Sequence, residues 1–165
     1  MNESVIDSAK LLISQNRLDE ASAILLGQVG LHQACDELYY LLAILSVWKK
    51  DYVVALNYIN QSIAIKSNIA NYHLTKGNIY FEMEQFREAA KEYKISTSLN
   101  SNYPQAYSNL GNVYKQLGQY DKAAKNYYKA IQIDPTNSDY YYNLGLAHFS
   151  LRQFDEAIKA FNASI

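Results

Sequence analysis

The chain has 165 residues, of which 49% are hydrophobic and 19% charged, with a formal net charge of −1. These proportions are typical of a soluble globular protein and exclude a disordered or collagen-like chain, and the near-neutral charge argues against a nucleic-acid surface built from bulk positive charge. The 16 tyrosines, against one tryptophan and five phenylalanines, indicate either a repeated aromatic motif or aromatic side chains presented to a partner.

The N-terminal residues from Asn2 to Asp7 are mostly polar and acidic, and lack the basic and apolar regions of a signal peptide. The longest apolar run, Leu38–Leu45, is far shorter than the roughly 20 residues that span a bilayer. Cys35 is the sole cysteine, so no disulfide can form within the chain. We therefore expect a cytoplasmic protein that does not associate with a membrane.

The strongest pattern is a period of 34 residues along the chain. Two ladders of small residues have this spacing, namely Ala21, Ala55, Ala89, Ala123, Ala157 and Ala9, Ala43, Gly77, Gly111, Gly145. Two ladders of large residues accompany them, namely Leu25, Ile59, Tyr93, Tyr127, Phe161 and Leu18, Tyr52, Phe86, Tyr120, Phe154. The ladders predict five repeats, at about residues 2–35, 36–69, 70–103, 104–137 and 138–165.

Each repeat is predicted to form two helices of about a dozen residues. In the fourth repeat, the first helix runs from about Gln105 to Gln116 and the second from Tyr120 to Ile133. Between them Gly118 can adopt the left-handed conformation that ends a helix. The small ladder residues are expected to let the two helices approach closely, and the large ones to fill the gaps between pairs.

The fourth repeat carries a recognisable motif: Tyr107-x2-Leu110-Gly111-x2-Tyr114, then Ala123-x3-Tyr127, then Pro135. This motif resembles that of the tetratricopeptide-repeat (TPR) family, W-x2-L-G-x2-Y, A-x3-F and P. The resemblance implies an all-α fold, a right-handed α-solenoid (superhelix) of antiparallel helix pairs. It implies five repeats, the last of them incomplete, in a single TPR domain that spans residues 1–165.

The resemblance also implies that the first helix of each repeat lines a concave groove. The residues expected to bind a peptide there are Asn78, Asn109, Asn112, Asn143, Tyr40, Ile44, Trp48 and Tyr142. An asparagine side chain both donates and accepts, so it can pair with a peptide backbone of any sequence. The row of asparagines is similar to the asparagine ladder in the TPR arm of O-GlcNAc transferases. The alternative is that asparagine is simply common at these positions in the family.

Two functions are therefore open. The first is a protein–protein interaction scaffold, not an enzyme, which binds an extended peptide or a partner helix in the groove. The second is the N-terminal substrate-recruiting arm of a larger enzyme, such as a glycosyltransferase. A carboxylate clamp of the kind found in chaperone-binding TPR domains is disfavoured, because Lys115 is the only groove cation expected in repeats three to five.

Catalytic, metal and cofactor signals are missing from the sequence. The three histidines, His32, His73 and His148, lie at no metal-ligand spacing, and no phosphate-binding or nucleophile motif is present. We therefore expect no catalytic residues, no metal, no cofactor and no nucleic-acid partner.

The fifth repeat stops at Ile165, inside its second helix, so its apolar residues lack a covering helix. We expect either that the chain is cut from a longer protein or that two copies cover each other as a homodimer through this end.

Overall fold

The computed structural model describes residues 2–30 and 35–165, and these form ten α-helices and no strand. The odd-numbered A helices are α1 (Asn2–Ser14), α3 (Asp36–Trp48), α5 (Ala70–Glu82), α7 (Pro104–Gln116) and α9 (Ser138–Ser150). The even-numbered B helices are α2 (Leu18–Gly30), α4 (Tyr52–Ile65), α6 (Phe86–Leu99), α8 (Tyr120–Ile133) and α10 (Phe154–Ala163). The all-α prediction is confirmed. The two helices predicted in the fourth repeat agree with α7 and α8 to within one residue.

The helices group into two compact units, Met1–Ile79 and Tyr80–Ile165, and the boundary falls within α5. The core of the N-terminal unit is aliphatic, with Leu25 and Leu42 fully buried against their neighbours. The core of the C-terminal unit is built around the fully buried rings of Tyr93 and Tyr127. That residues 1–165 behave as one domain stays a prediction.

Every A helix ends in the same kind of turn. The backbone N–H of Gln119 donates to the carbonyl of Tyr114 at 2.8 Å, which is the six-to-one hydrogen bond of a Schellman motif. The equivalent bond recurs in the other four repeats. Each turn contains one residue with positive φ, 34 positions from the next: Asn16, Lys50, Glu84, Gly118 and Arg152. The turn therefore forms at this position whether or not glycine is present.

The small and large ladders meet inside the C-terminal unit. A Cβ atom added to Gly111 would lie 2.7 Å from Cε1 of Tyr127, and one added to Gly145 would lie 2.5 Å from Cε1 of Phe161. Both distances are shorter than real Cβ contacts, so these glycines leave the space that the rings occupy. Helices A and B of these repeats pack closely because this space is kept open.

Candidate functional site

In the N-terminal unit, Tyr40 is held in place by two neighbours on α5. Its hydroxyl accepts a hydrogen bond of 2.6 Å from Nδ2 of Asn71, and its ring centroid lies 5.0 Å from that of Tyr72. The Tyr72 hydroxyl donates to Oδ2 of Asp36 at 2.8 Å, and its pKa is raised, first by burial and then by this carboxylate. Tyr40 is therefore a half-buried, oriented ring on the A-helix side of this unit.

The other predicted aromatic anchor of this unit is more exposed. Trp48, the last residue of α3, is 50% exposed, and Ile44 lies half-buried one helical turn before it. Asn78 is half-buried on α5. An exposed indole beside aliphatic surface is a typical anchor for a partner, because burying it on binding removes a large apolar area from water.

In the C-terminal unit, two of the predicted asparagines are bound by buried tyrosines. The Tyr127 hydroxyl donates to Oδ1 of Asn112 at 2.7 Å, and the Asn109 side chain hydrogen-bonds the Tyr93 hydroxyl. Burial raises the pKa of both tyrosines, so both keep their protons at neutral pH. Among the described residues, Nδ2 of Asn112 has no hydrogen-bond partner. Asn112 is thus fixed through its oxygen while its two N–H donors are available.

Both the oxygen and the nitrogen of the Asn143 side-chain amide form hydrogen bonds within the protein. Its Oδ1 accepts a hydrogen bond of 3.0 Å from Nζ of Lys115, and its Nδ2 donates to the carbonyl of Asp139 at 2.9 Å. Burial lowers the pKa of Lys115, and no carboxylate within the described ranges contacts its ammonium group. Lys115 and Asn143 therefore form a polar pair that joins α7 and α9, and the cation of this pair has no counter-ion among the described residues.

The sequence identified Lys115 only as a groove cation, in the argument against a carboxylate clamp, and not as a peptide-binding residue, although a signal for that role existed. The equivalent position holds Phe81 in the repeat before and Phe149 in the repeat after. A lysine within an otherwise apolar ladder has no packing reason, and that departure marks it as a candidate ligand contact.

Two pairs of aromatic rings also involve A-helix residues of the C-terminal unit. Phe81 and Phe86 meet edge to face with ring centroids 5.4 Å apart, and they border a cavity of about 280 Å³ that is also lined by Glu82, Glu84 and Gln116. Tyr142 is 52% exposed, and its ring lies 5.7 Å from that of Phe161. The structure thus places Asn109, Asn112, Asn143 and Tyr142 on the A helices of this unit, and Tyr40, Ile44, Trp48 and Asn78 on those of the other.

The described residues contain no group of three or more His, Cys, Asp or Glu side chains that could hold a metal ion. His73 is buried, with its Nε2 atom 3.0 Å from the Ser67 carbonyl oxygen, and Nδ1 of His148 lies 2.7 Å from Oε1 of Gln153. His32 lies outside the described residues. Over the described ranges, no helix is long and apolar enough to cross a membrane.

Comparison with known families identifies the class of protein. Profiles described as "TPR repeat" match residues 77–118 and 111–151, and a profile described as "Tetratricopeptide repeat" matches residues 138–165. Together these matches cover more than half of the chain, which therefore belongs to the tetratricopeptide-repeat family. No curated protein sequence matches the chain.

Solved structures confirm the predicted class of fold, a helical solenoid of repeats. MamA is 23% identical with a TM-score of 0.88, over 94% of this chain and 91% of its own. YrrB, described as a TPR protein with an unusual peptide-binding site, is 22% identical with a TM-score of 0.82, over 98% and 83%. PilF of Pseudomonas aeruginosa is 14% identical with a TM-score of 0.88, over 98% and 74%. At these identities the likeness shows the fold alone.

Proposed function

We propose that this protein is a non-catalytic interaction scaffold, which binds an extended peptide or a partner helix on its A-helix faces. The observation that carries this proposal is Asn112, whose oxygen accepts from Tyr127 at 2.7 Å while its amide nitrogen lacks a partner among the described residues. A fixed donor of this kind can bind a peptide carbonyl without losing side-chain entropy on binding. The description of YrrB as a peptide-binding TPR protein supports the same use of the fold.

The proposed binding residues have different roles. Asn78, Asn109 and Asn112 would pair with the peptide backbone, in a manner similar to the asparagines of O-GlcNAc transferase arms. Asn143 already bonds Lys115 and Asp139, so it would pair with the peptide through its second amide N–H. Tyr40, Ile44, Trp48 and Tyr142 would receive apolar side chains of the ligand. Lys115 would attract an acidic side chain, because it carries a partly desolvated charge without a counter-ion in the described residues. Nothing in the comparisons favours an enzyme arm, so we do not propose that alternative.

Self-association and cytoplasmic location are further parts of the proposal. Phe149, Phe154 and Ile158 are each more than half exposed on the last helix pair, and this apolar surface supports a homodimer. Light scattering across a concentration series distinguishes the outcomes: a growing dimer fraction supports the contact, and a constant monomer mass contradicts it.

The test of peptide binding is a selection from a random peptide library, followed by titration of the enriched peptides. Asn112→Asp keeps an oxygen acceptor for Tyr127 but removes the amide donors. We expect it to weaken binding roughly 2- to 10-fold, the equivalent of one hydrogen bond worth about 0.5–1.5 kcal/mol. Asn162→Asp is the matched control, because it makes the same charge change at an exposed position on α10.

Two results would contradict the proposal. One is that the wild-type protein enriches no peptide; the other is that the two aspartate variants lose affinity equally. Because Trp48 is the only tryptophan, its emission also reports whether a bound peptide reaches the N-terminal unit. A blue shift is expected there, because the half-exposed indole would lose contact with water.

A further inference from the structure

We propose that the surface between α8 and α9 is a second docking site, which binds an acidic amphipathic segment of a partner protein. This α8–α9 groove has a volume of about 430 Å³, and it is lined by Ala124, Lys125, Tyr128, Lys129, Leu144 and His148, among others. It involves no residue of the peptide-binding surface proposed above, and it rests on different observations.

The floor of the groove suits apolar anchor side chains. Ala124 and Leu144 are buried, and the ring of Tyr128 stands beside them with 56% of its surface exposed. An exposed tyrosine next to a small buried alanine forms a recess, into which a leucine or phenylalanine of a partner can insert. Pockets of several hundred cubic ångströms with apolar walls are typical of such recognition.

The rim of the groove determines the charge of the occupant. Lys125 and Lys129 lie four residues apart on α8, and neither contacts a carboxylate within the part of the chain that the structure describes. The ammonium group of Lys129 instead lies 5.4 Å from the ring centroid of Tyr107. Carboxylates placed one helical turn apart on a partner would match the spacing of the two lysines.

Helix α8 is basic as well. It contains three lysines (Lys122, Lys125 and Lys129) and one acidic residue, Asp121, whereas Asp134 and Asp139 lie between it and the groove residues of α9. A segment of this charge attracts an acidic partner and repels a basic one, which raises the rate of association and its selectivity.

The α8–α9 groove and the peptide-binding face lie on opposite sides of α9. Each residue of a helix is rotated by about 100° from the one before it. Leu144 and His148 therefore lie on one side of α9, and Tyr142, Asn143 and Phe149 lie roughly on the opposite side. Both surfaces of the C-terminal unit can therefore be occupied at the same time. Binding at the groove should leave the affinity of the peptide-binding face unchanged.

The probe for the experiment is a labelled amphipathic peptide helix with two leucines one turn apart and glutamates on either side. Its matched partner has lysines in place of the glutamates. We expect the glutamate peptide to bind the wild-type protein, and the double variant Lys125→Glu/Lys129→Glu to bind it at least about tenfold more weakly. The double variant should now prefer the lysine peptide. Lys159→Glu, an exposed change on α10, is the control.

Tyr128→Ala separates the apolar contribution from the charges. Because Tyr128 is 56% exposed, the variant should keep its fold, and circular dichroism checks this. Weaker binding of the glutamate peptide to this variant supports insertion of an anchor side chain. The proposal is overturned if the wild-type protein does not bind the glutamate peptide, or if the double variant binds it as well as the wild type does. It is also overturned if octanoate displaces the peptide completely at equal concentration, since the groove would then be a small-molecule site.

The same titration with Asn112→Asp distinguishes the two surfaces. Unchanged affinity for the glutamate peptide is expected, because Asn112 does not line the groove. A loss on this variant would place the peptide on the A-helix face and overturn the second site. Failure of the library selection on the A-helix face would leave the result at the groove unaffected, so the two proposals fail separately.

Discussion

Replacing Gly111 with alanine tests how helices A and B pack in the C-terminal unit. The new methyl carbon would lie 2.7 Å from Cε1 and 2.9 Å from Cδ1 of Tyr127, whereas ordinary van der Waals contact begins at 3.4 Å. The ring is fully buried, and its hydroxyl is held by Asn112 at 2.7 Å, so it cannot move away freely. Overpacking of this kind costs about 1–3 kcal/mol.

Helix propensity opposes this cost, since alanine in a helix interior is about 1 kcal/mol better than glycine. The free energy of unfolding should therefore fall by roughly 1 kcal/mol, within a range of about 0–2 kcal/mol. Gly27, in α2, has nothing within 4 Å of an added Cβ, so Gly27→Ala should instead gain about 1 kcal/mol.

The decisive experiment places the same change in a Tyr127→Leu background. The smaller side chain leaves room for the methyl group, and Gly111→Ala should now be stabilising. The first two repeats already have such pairs, with Ala9 opposite Leu25 and Ala43 opposite Ile59 in the sequence register, all four of them buried. Urea unfolding followed by circular dichroism gives the four free energies of this double-mutant cycle. The reasoning is refuted if Gly111→Ala has the same sign in both backgrounds.

Two further predictions concern pH and the turns between helices. Burial raises the pKa of Tyr93 and Tyr127 above the ordinary 10.0, so the folded protein retains phenolic protons that the unfolded chain releases. The contribution of these two tyrosines to the free energy of unfolding should be constant below about pH 10 and fall as the pH rises further. Urea midpoints measured across that range should fall less steeply for Tyr127→Phe but not for the exposed control Tyr128→Phe, and equal slopes would disprove the assignment. At the positive-φ turn positions, Arg152→Gly should raise stability and Gly118→Ala should lower it, each by about 1 kcal/mol. Thermal melts of the two variants check this, and shifts in the same direction would contradict it.

The helices could be predicted from the sequence because the same pattern of small and large residues recurs every 34 residues in all five repeats. Gly118 indicated where α7 ends, and the predicted bounds of α7 and α8 agree with the structure to within one residue. The positive φ of Arg152 and Glu84 was not predicted, since neither residue type favours that conformation. There the six-to-one hydrogen bond of the turn imposes the conformation on whatever residue is present.

The site was less predictable than the helices, because its chemistry depends on contacts between helices. Periodicity indicates which residues share a face, but not which of their atoms are already bound. Asn112 and Asn143 look alike in the sequence, but their hydrogen bonds differ. Only the oxygen of the Asn112 amide is bonded within the described residues, whereas both the oxygen and the nitrogen of the Asn143 amide are bonded. The partners responsible lie 15 and 28 residues away, beyond the reach of a local pattern.

The bond between Tyr127 and Asn112 connects a buried side chain to the A-helix face that we propose as the peptide-binding surface. Where the B helix carries a tyrosine, as at Tyr93 and Tyr127, the matching A-helix position is an asparagine, Asn78 or Asn112. Where the B helix carries Ile59 or Phe161, which have no hydroxyl, that position is Ile44 or Leu146. The first repeat departs from this pattern, since Leu25, which also has no hydroxyl, is matched by Lys10. Replacing Tyr127 with phenylalanine would release the oxygen of Asn112, and so alter the A-helix face through a residue that is itself buried in the core.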